Sequence, residues 1–315
     1  YKMNIIITHL KYKINMNYPD FDEIPVTVHC YILATNFTVK IQELFDSINI
    51  TPYIIVPKKR GRRKKMDYIN PNTNIPVGSI ISLELNNQHR GANLKCKNYS
   101  NNGKNYFRNA ITIVMSIHSK IINFKLYANG KIQMTGCKSK EQAIDCVKYL
   151  WEHMRERTTT FTFKDEKIPY PVIYIASVMR NVTFSLGFLV DRTKLDYYVN
   201  TETEYRSTYE TSMHHPNVNI SFPIRTDFTK SDIAKIVYKD STWELSTVPY
   251  TEFFETQTNT EKTKMLRTVR HITFLVFQSG KTIISGINRD AMRPSYYEFI
   301  EMIGKCHMTI REVLK

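Results

Sequence analysis

The five cysteines of this chain, Cys30, Cys96, Cys137, Cys146 and Cys306, are scattered, and no C-x-x-C pair occurs among them. Such spacing offers neither a zinc site nor a disulfide framework, and a reducing compartment is the expectation. No apolar run reaches the ~18 residues of a membrane-spanning helix, so no membrane partner is expected. The longest apolar stretch, around residues 170–179, reads as a strand. A secretory signal pattern is also missing. The nine histidines, among them His214-His215, have no carboxylate or cysteine at ligand spacing and read as surface or groove residues. Nucleophile–base pair, paired-carboxylate motif, phosphate loop and metal set are all lacking, so neither catalysis nor a cofactor is expected. Acidic residues are in short supply as well: 29 Asp and Glu face 44 Lys and Arg, a formal net charge of +15. That balance suggests a polyanionic partner, most often nucleic acid; an anionic membrane surface suits the same charge but is not the partner expected. Part of the Asn, Ile, Lys and Tyr excess is what an A·T-rich coding sequence would produce.

What is present is a repeat. Residues 124–136, FKLYANGKIQMTG, return as residues 274–286, FLVFQSGKTIISG, at a constant, ungapped offset of 150. Phe124/Phe274, Gly130/Gly280, Lys131/Lys281 and Gly136/Gly286 are identical. Each copy reads as a strand, a two-residue turn ending in Gly and a second strand closed by Gly, which is a β-hairpin followed by a helix. The offset is too long for a solenoid, whose units run roughly 20–50 residues. It points to two related halves of a 315-residue globular chain.

Residues 1–25 read as a loosely attached lead-in. Residues 26–38 form a long strand and 39–48 a helix, with Ile41, Leu44, Phe45 and Ile48 on one face. An excursion over residues 49–105 carries the basic run PKKRGRRKK (57–65), a strand at 79–85 and a second basic stretch at 95–104. A strand at 110–117 leads to the first hairpin, and the helix 139–154 follows, with Ser139 and Gln142 as a capping box. After a linker (155–173) the second half gives a strand at 174–190, a helix at 191–199, a strand at 218–222, an insert at 223–268, the second hairpin, and a helix at 295–303 ending at Gly304. A short helix at 308–314 closes the chain, within a tail of 305–315. The expected organisation is thus a repeat over 26–154, a second over 174–304, and an α+β fold with helices on one face of an antiparallel sheet.

Parity divides each hairpin into two faces. Phe124, Leu126, Ile132 and Met134, and in the second copy Phe274, Val276 and Ile284, go toward the helices. Lys125, Tyr127, Lys131, Gln133 and Thr135, and then Leu275, Phe277, Lys281, Ile283 and Ser285, go outward. On the long strands Val182, Phe184, Leu186 and Phe188 point in and Asn181, Thr183 and Ser185 out; Phe37 and Val39 point in, Ala34 and Asn36 out. Two readings of the outer face stay open: a solvated or dimerising surface, or a nucleic-acid platform on which apolar groups meet sugars and base edges while lysines meet phosphates.

Two copies of strand, helix, antiparallel strands and helix, with G-K-x-x-x-T/S-G in the hairpin, resemble the TATA-box-binding protein family. The resemblance covers roughly residues 26–50, 106–154 and 174–303, and its Asn/Lys-rich style with long inserts is similar to the divergent versions carried by large DNA viruses. It implies two pseudo-symmetric repeats forming a saddle-shaped antiparallel sheet, helices on the convex face, no enzymatic activity, and a monomer. It also implies binding and bending of double-stranded A·T-rich promoter DNA through the minor groove, with helices 139–154 and 295–303 presented to a transcription factor B-like protein and RNA polymerase. The compartment implied is the nucleus, or a cytoplasmic viral factory or virion. By position, Phe277 and Tyr127 match wedge residues; Leu275, Ile283, Ser285 and Thr135 match groove contacts; Lys131, Lys138 and Lys281 match phosphate contacts. Asn181, flanked by Thr183, matches the family's central Asn, whose counterpart in the first half falls at Ala34 with Asn36 two residues on. Lys125 and Gln133 make the first half's groove face more polar than the family's. The second wedge of each half falls near Ala110, with Phe107 close by, and near His214/His215, so the kink is expected to be smaller or one-sided.

The run around Arg60 and Arg62 resembles an AT-hook, with Arg63 where that motif has Pro; an auxiliary DNA arm, a nuclear-targeting signal and a solvated loop are the readings it allows. Two rivals to the initiation-factor reading are an architectural or genome-packaging protein using the same saddle without promoter choice, and the accessory domain of a DNA-processing enzyme.

Overall fold

The apolar–polar alternation of both motif copies is realised as strand pairs in a computed structural model, which describes residues 18–55, 72, 74–94, 109–118, 120–211, 216–224 and 231–312. In chain order the elements are β1 (Val26–Thr35), β2 (Phe37–Val39), α1 (Ile41–Ser47), β3 (Ile80–Leu85), β4 (Gln88–Gly91), β5 (Ala110–Ile117), β6 (Lys120–Tyr127), β7 (Ile132–Cys137) and α2 (Lys140–Met154). There follow β8 (Phe161–Phe163), β9 (Val172–Ser185), α3 (Arg192–Glu202), β10 (Arg206–Glu210), β11 (Asn217–Pro223), β12 (Asp232–Lys239) and β13 (Thr242–Pro249). The chain closes with α4 (Tyr250–Glu255), α5 (Asn259–Arg267), β14 (His271–Phe277), β15 (Lys281–Gly286) and α6 (Arg289–Ile310). This is a mostly antiparallel α+β fold.

Two compact units divide the chain: a first of Cys30–Ala176 with Asp232–Val248, and a second of the described residues in Tyr1–His29, Ser177–Ser231 and Pro249–Lys315. In the first, the strands run in the order β1-β7-β6-β5-β3-β4. One face is buried: Phe124, Leu126, Ile132 and Met134 meet Leu44 and Phe45 of α1 and Ala143, Val147, Leu150 and Trp151 of α2. In the second, the order is β9-β15-β14-β11-β10. Val182, Phe184, Phe274, Val276 and Ile284 pack there against Leu195 and Val199 of α3 and Met292, Phe299 and Ile303 of α6. The Phe274 and Phe299 rings stack at 4.2 Å. Each large apolar side chain buried this way stabilises its unit by roughly 1.5–3 kcal/mol. Both units share one strand order: long strand, last hairpin strand, first hairpin strand, then the strands preceding the hairpin.

The turn glycines that recur in both copies have a backbone reason. Gly130 (φ +82°) and Gly280 (φ +78°) sit in the left-handed region. Each closes its turn by donating to the residue at the end of the first hairpin strand, Gly130 N to Tyr127 O and Gly280 N to Phe277 O, both at 2.9 Å. In the first copy Tyr127 N also donates to Lys131 O at 2.8 Å, so the turn is a three-residue loop with glycine last rather than a two-residue turn. A Cβ at Gly130 would overlap the carbonyl oxygen of Phe37, and one at Gly280 that of Phe188. Two residues further on, Val39 N donates to Ala128 O and Val190 N to Gln278 O, each at 2.8 Å. The segment that follows each long strand is thereby fastened to the tip of that unit's own hairpin.

Several sequence expectations need correction. The strand at 26–38 breaks at Asn36, and that at 174–190 ends at Ser185, ahead of Gly187 with φ +81°. Helix α6 runs through Pro294 and Gly304 to Ile310 in place of two shorter helices. Its apolar periodicity continues past the glycine through Cys306 and Ile310, and this packing outweighs a glycine's cost of about 1 kcal/mol. The capping box of α2 is half formed: Ser139 Oγ accepts from Gln142 N, but Gln142 Oε1 accepts from Lys138 N. The lead-in is not loose throughout, since Phe21 is fully buried and Arg289 donates to the carbonyls of Phe21 and Ile24. The linker contains β8, whose Phe161 and Phe163 pair with Val39 and Phe37. Within the 223–268 insert, β12 extends the first unit by pairing Ala234–Val237 with Val172–Ile175.

Cys30, Cys137, Cys146 and Cys306 are free and buried. Burial pushes the thiol of Cys137 up to about 11 and that of Cys306 up to about 12. The unfolded chain, with thiols near 9, releases these protons first, so stability is expected to fall as pH rises from about 9 to 11; a denaturant midpoint that is flat across this window would contradict it. Gly280→Ala and Gly130→Ala are each expected to destabilise their unit by about 1–3 kcal/mol from the backbone conformation alone, with the carbonyl overlap added. Thermal melts of the two variants check this.

Candidate nucleic-acid interface

The face of each sheet turned away from its helices carries the outward residues of the hairpins. In the second unit register fixes their order. Asn219 of β11 lies opposite Leu275, Leu275 opposite Ile283, and Ile283 opposite Thr183. The neighbouring row reads Ser221, Thr273, Ser285 and Asn181. Phe277 is paired with Asn217, and Lys281 with Ser185. Leu275, Phe277, Ile283, Ser285, Asn181 and Thr183 are half-buried, Lys281 is exposed, and Arg206 and Glu210 mark the β10 edge. The result is a grid of hydroxyls and amides around two aliphatic side chains and one phenylalanine.

The amides of this grid are unusual. Among the described residues, the buried side-chain oxygens of Asn181 and Asn219 have no hydrogen-bond partner. Leaving such an atom unpaired costs about 1–3 kcal/mol. Asn217, Asn219, Ser221 and Thr273 were not anticipated from sequence. The alternation of NVNISFP, with Val218, Ile220 and Phe222 buried, is the signal that assigns their side.

The first unit answers with different chemistry at matching positions. Lys125 lies opposite Gln133 where the second unit has Leu275 and Ile283. Asn123 lies opposite Thr135, and Tyr127 opposite Ala110, which is 3% exposed. The Tyr127 hydroxyl donates to Gln133 Oε1 at 2.9 Å. Burial raises the Tyr127 hydroxyl above its ordinary value, which keeps it protonated as that donor. Gln133, Thr135 and Lys138 are exposed; Lys125 and Lys131 are half-buried.

Counting back from Phe37 and Phe188, which hold the same place against their hairpin glycines, sets Asn181 level with Cys30, not with Ala34 or Asn36. Ala34 is shielded, at 7% exposed, rather than open. Asn36 is engaged on both sides of its amide: Nδ2 donates to Tyr170 O at 2.9 Å, and Oδ1 accepts from Val172 N at 2.9 Å. Its side chain thus ties β1 to the start of β9. Arg60, Arg62, Phe107, His214 and His215 lie outside the described residues. Among the described residues no group of three or more His, Cys, Asp or Glu is placed to hold a metal ion. No described helix is long and apolar enough to cross a membrane.

No protein-family model matches the chain. It is similar to "Uncharacterized protein 335L" of Invertebrate iridescent virus 6, 24% identical over 304 residues, which are 89% of this chain and 83% of that protein. Among solved structures, Methanococcus jannaschii TBP is similar over 91% of this chain and 99% of that chain, at 12% identity and a TM-score of 0.41.

Asn36→Ala removes the side-chain hydrogen bonds to the 168–172 segment. It is expected to lower stability by about 1–3 kcal/mol, because it strands the Val172 N–H. A melting temperature equal to wild type would show that water replaces the amide without loss.

Proposed function

We propose that this protein is a TATA-box-binding-protein-like initiation factor that grips A·T-rich duplex DNA in the minor groove and bends it. The observation that carries the reading is the open face of the second unit, where Phe277, Leu275 and Ile283 stand among Asn and Thr side chains with Lys281 at the rim. An apolar face of this width suits sugars and the floor of a minor groove, an inserted phenylalanine suits an unstacked base step, and amides donate to A N3 and T O2. The strand order that each unit repeats and the net charge of +15 support the same reading. In this reading the outer face of each sheet meets the duplex, as the resembled family implies. Helices α2 and α6 face away from the DNA, toward a transcription factor B-like protein and RNA polymerase. A viral setting fits the similarity to protein 335L.

The test is binding to end-labelled duplexes, A·T-rich against G·C-rich, at two salt concentrations, with energy transfer between the ends as the measure of bending. Wild type is expected to prefer the A·T-rich duplex and to shorten its end-to-end distance. Phe277→Ala should lose the bend and on the order of a few kcal/mol of bent-complex stability, the cost of unstacking a step being of that size. Lys281→Ala should reduce the slope of log affinity against log salt by about 1. Equal, strongly salt-sensitive binding to both duplexes, indifferent to Phe277, would replace this reading with the packaging one.

A further inference from the structure

We infer that base recognition belongs to one unit only: the second unit wedges and reads the duplex, with Asn219 as a reading residue beside Asn181, while the first unit holds backbone. The inference rests on the minor-groove reading and sharpens it.

Three differences between matching positions carry it. A wedge needs an apolar floor around it, since any polar group carried into the base stack loses its water without compensation. Phe277 has such a floor in Leu275 and Ile283, the next pair on the same face, two residues along the hairpin. Tyr127 has Lys125 and Gln133 there, and its hydroxyl is tied to Gln133 Oε1. Inserting Tyr127 would break that bond and bury both the hydroxyl and the amide. Lys125, Lys131 and Lys138 suit phosphates instead.

The amides point the same way. Asn181 and Asn219 stand on β9 and β11, three strand spacings apart and so about 14 Å across the sheet. Both bear a buried oxygen without a partner among the described residues. On the first unit's outer face no such atom occurs among the described residues, and Cys30 stands level with Asn181. In both residues the buried atom is the oxygen, and neither amine is among the buried unpaired atoms, so each site offers its amine, a donor suited to A N3 and T O2.

Two measurements test this. A duplex set carrying 2-aminopurine at successive positions reports unstacking by a rise in fluorescence. Wild type is expected to brighten at one step, and Phe277→Ala at none; a second, separate bright step that survives in Phe277→Ala would overturn the one-sided wedge. Asn219→Val is expected to melt at or above the wild-type temperature, because an unpaired polar group is replaced by an apolar strand former. Its A·T over G·C preference should fall about three- to tenfold, with total affinity for G·C-rich duplex little changed. Unaltered preference in Asn219→Val, and in Asn219→Ala should the first variant melt low, would remove Asn219 from the reading set. Wild type that neither prefers A·T nor brightens any step would sink the groove reading itself, an outcome distinct from two bright steps or an indifferent Asn219.

Discussion

Each unit hangs on one close approach: a carbonyl two or three residues past the long strand lies over the glycine at the tip of that unit's own hairpin. Phe37 meets Gly130 and Phe188 meets Gly280 at positions where no side chain fits. Two residues on, the amides of Val39 and Val190 bond to the hairpin tips. That contact fixes where the chain leaves the sheet and starts α1 or α3. It also sets the register of the long strand beside the last hairpin strand, since a slip of one residue would turn every inward side chain outward. The inward set, Val182, Phe184, Phe274, Val276 and Ile284, depends on it, and so does the outward set that forms the candidate interface.

The hairpins, their parity and the helix 139–154 were legible because local pattern and tertiary burial agree there: an amphipathic period of two, a Gly turn, and a Ser N-cap before a helical stripe. The same agreement gave the inward faces of both copies. What escaped was decided by distant partners. Phe161 and Phe163 looked like linker because three residues carry no period; their strand character comes from pairing with β2 and packing on Trp151. The β12–β13 hairpin turns through Asp240 and Ser241, both at positive φ, a dipeptide without the glycine that usually signals such a turn. Phe21 looked peripheral because its burial depends on Tyr296 and Arg289, more than 260 residues away.

On the candidate interface the sequence pattern assigned the outward side to the hairpin residues but did not reach their neighbours. Asn36 shows why. An outward Asn at a strand end reads as a contact residue, yet its amide is consumed by the backbone of residues 168–172. Asn219 is the converse: a residue with no motif around it, brought beside Leu275 by β11 pairing with β14. Ala34 and Asn36 are also out of step with Asn181: the hairpin offset of 150 lands on Tyr31, and Phe37 and Phe188, which meet the hairpin glycines and are 151 apart, set Cys30 level with it.

The two faces therefore share a strand order without sharing a chemistry, and the difference has a thermodynamic sense. Phe277, Leu275, Ile283 and the two unpaired amides are poor choices for a surface whose only task is to be soluble; apolar area and stranded acceptors both weigh against the free protein. The first unit shows that the same backbone accepts Lys125 and Gln133 at those positions, with Tyr127 and Gln133 satisfying one another. A sheet that could have been made comfortable in water on both sides was made so on one. In the proposed reading the costly set on the other awaits a flat, partly apolar and hydrogen-bonding partner, a description that the floor of a duplex minor groove meets.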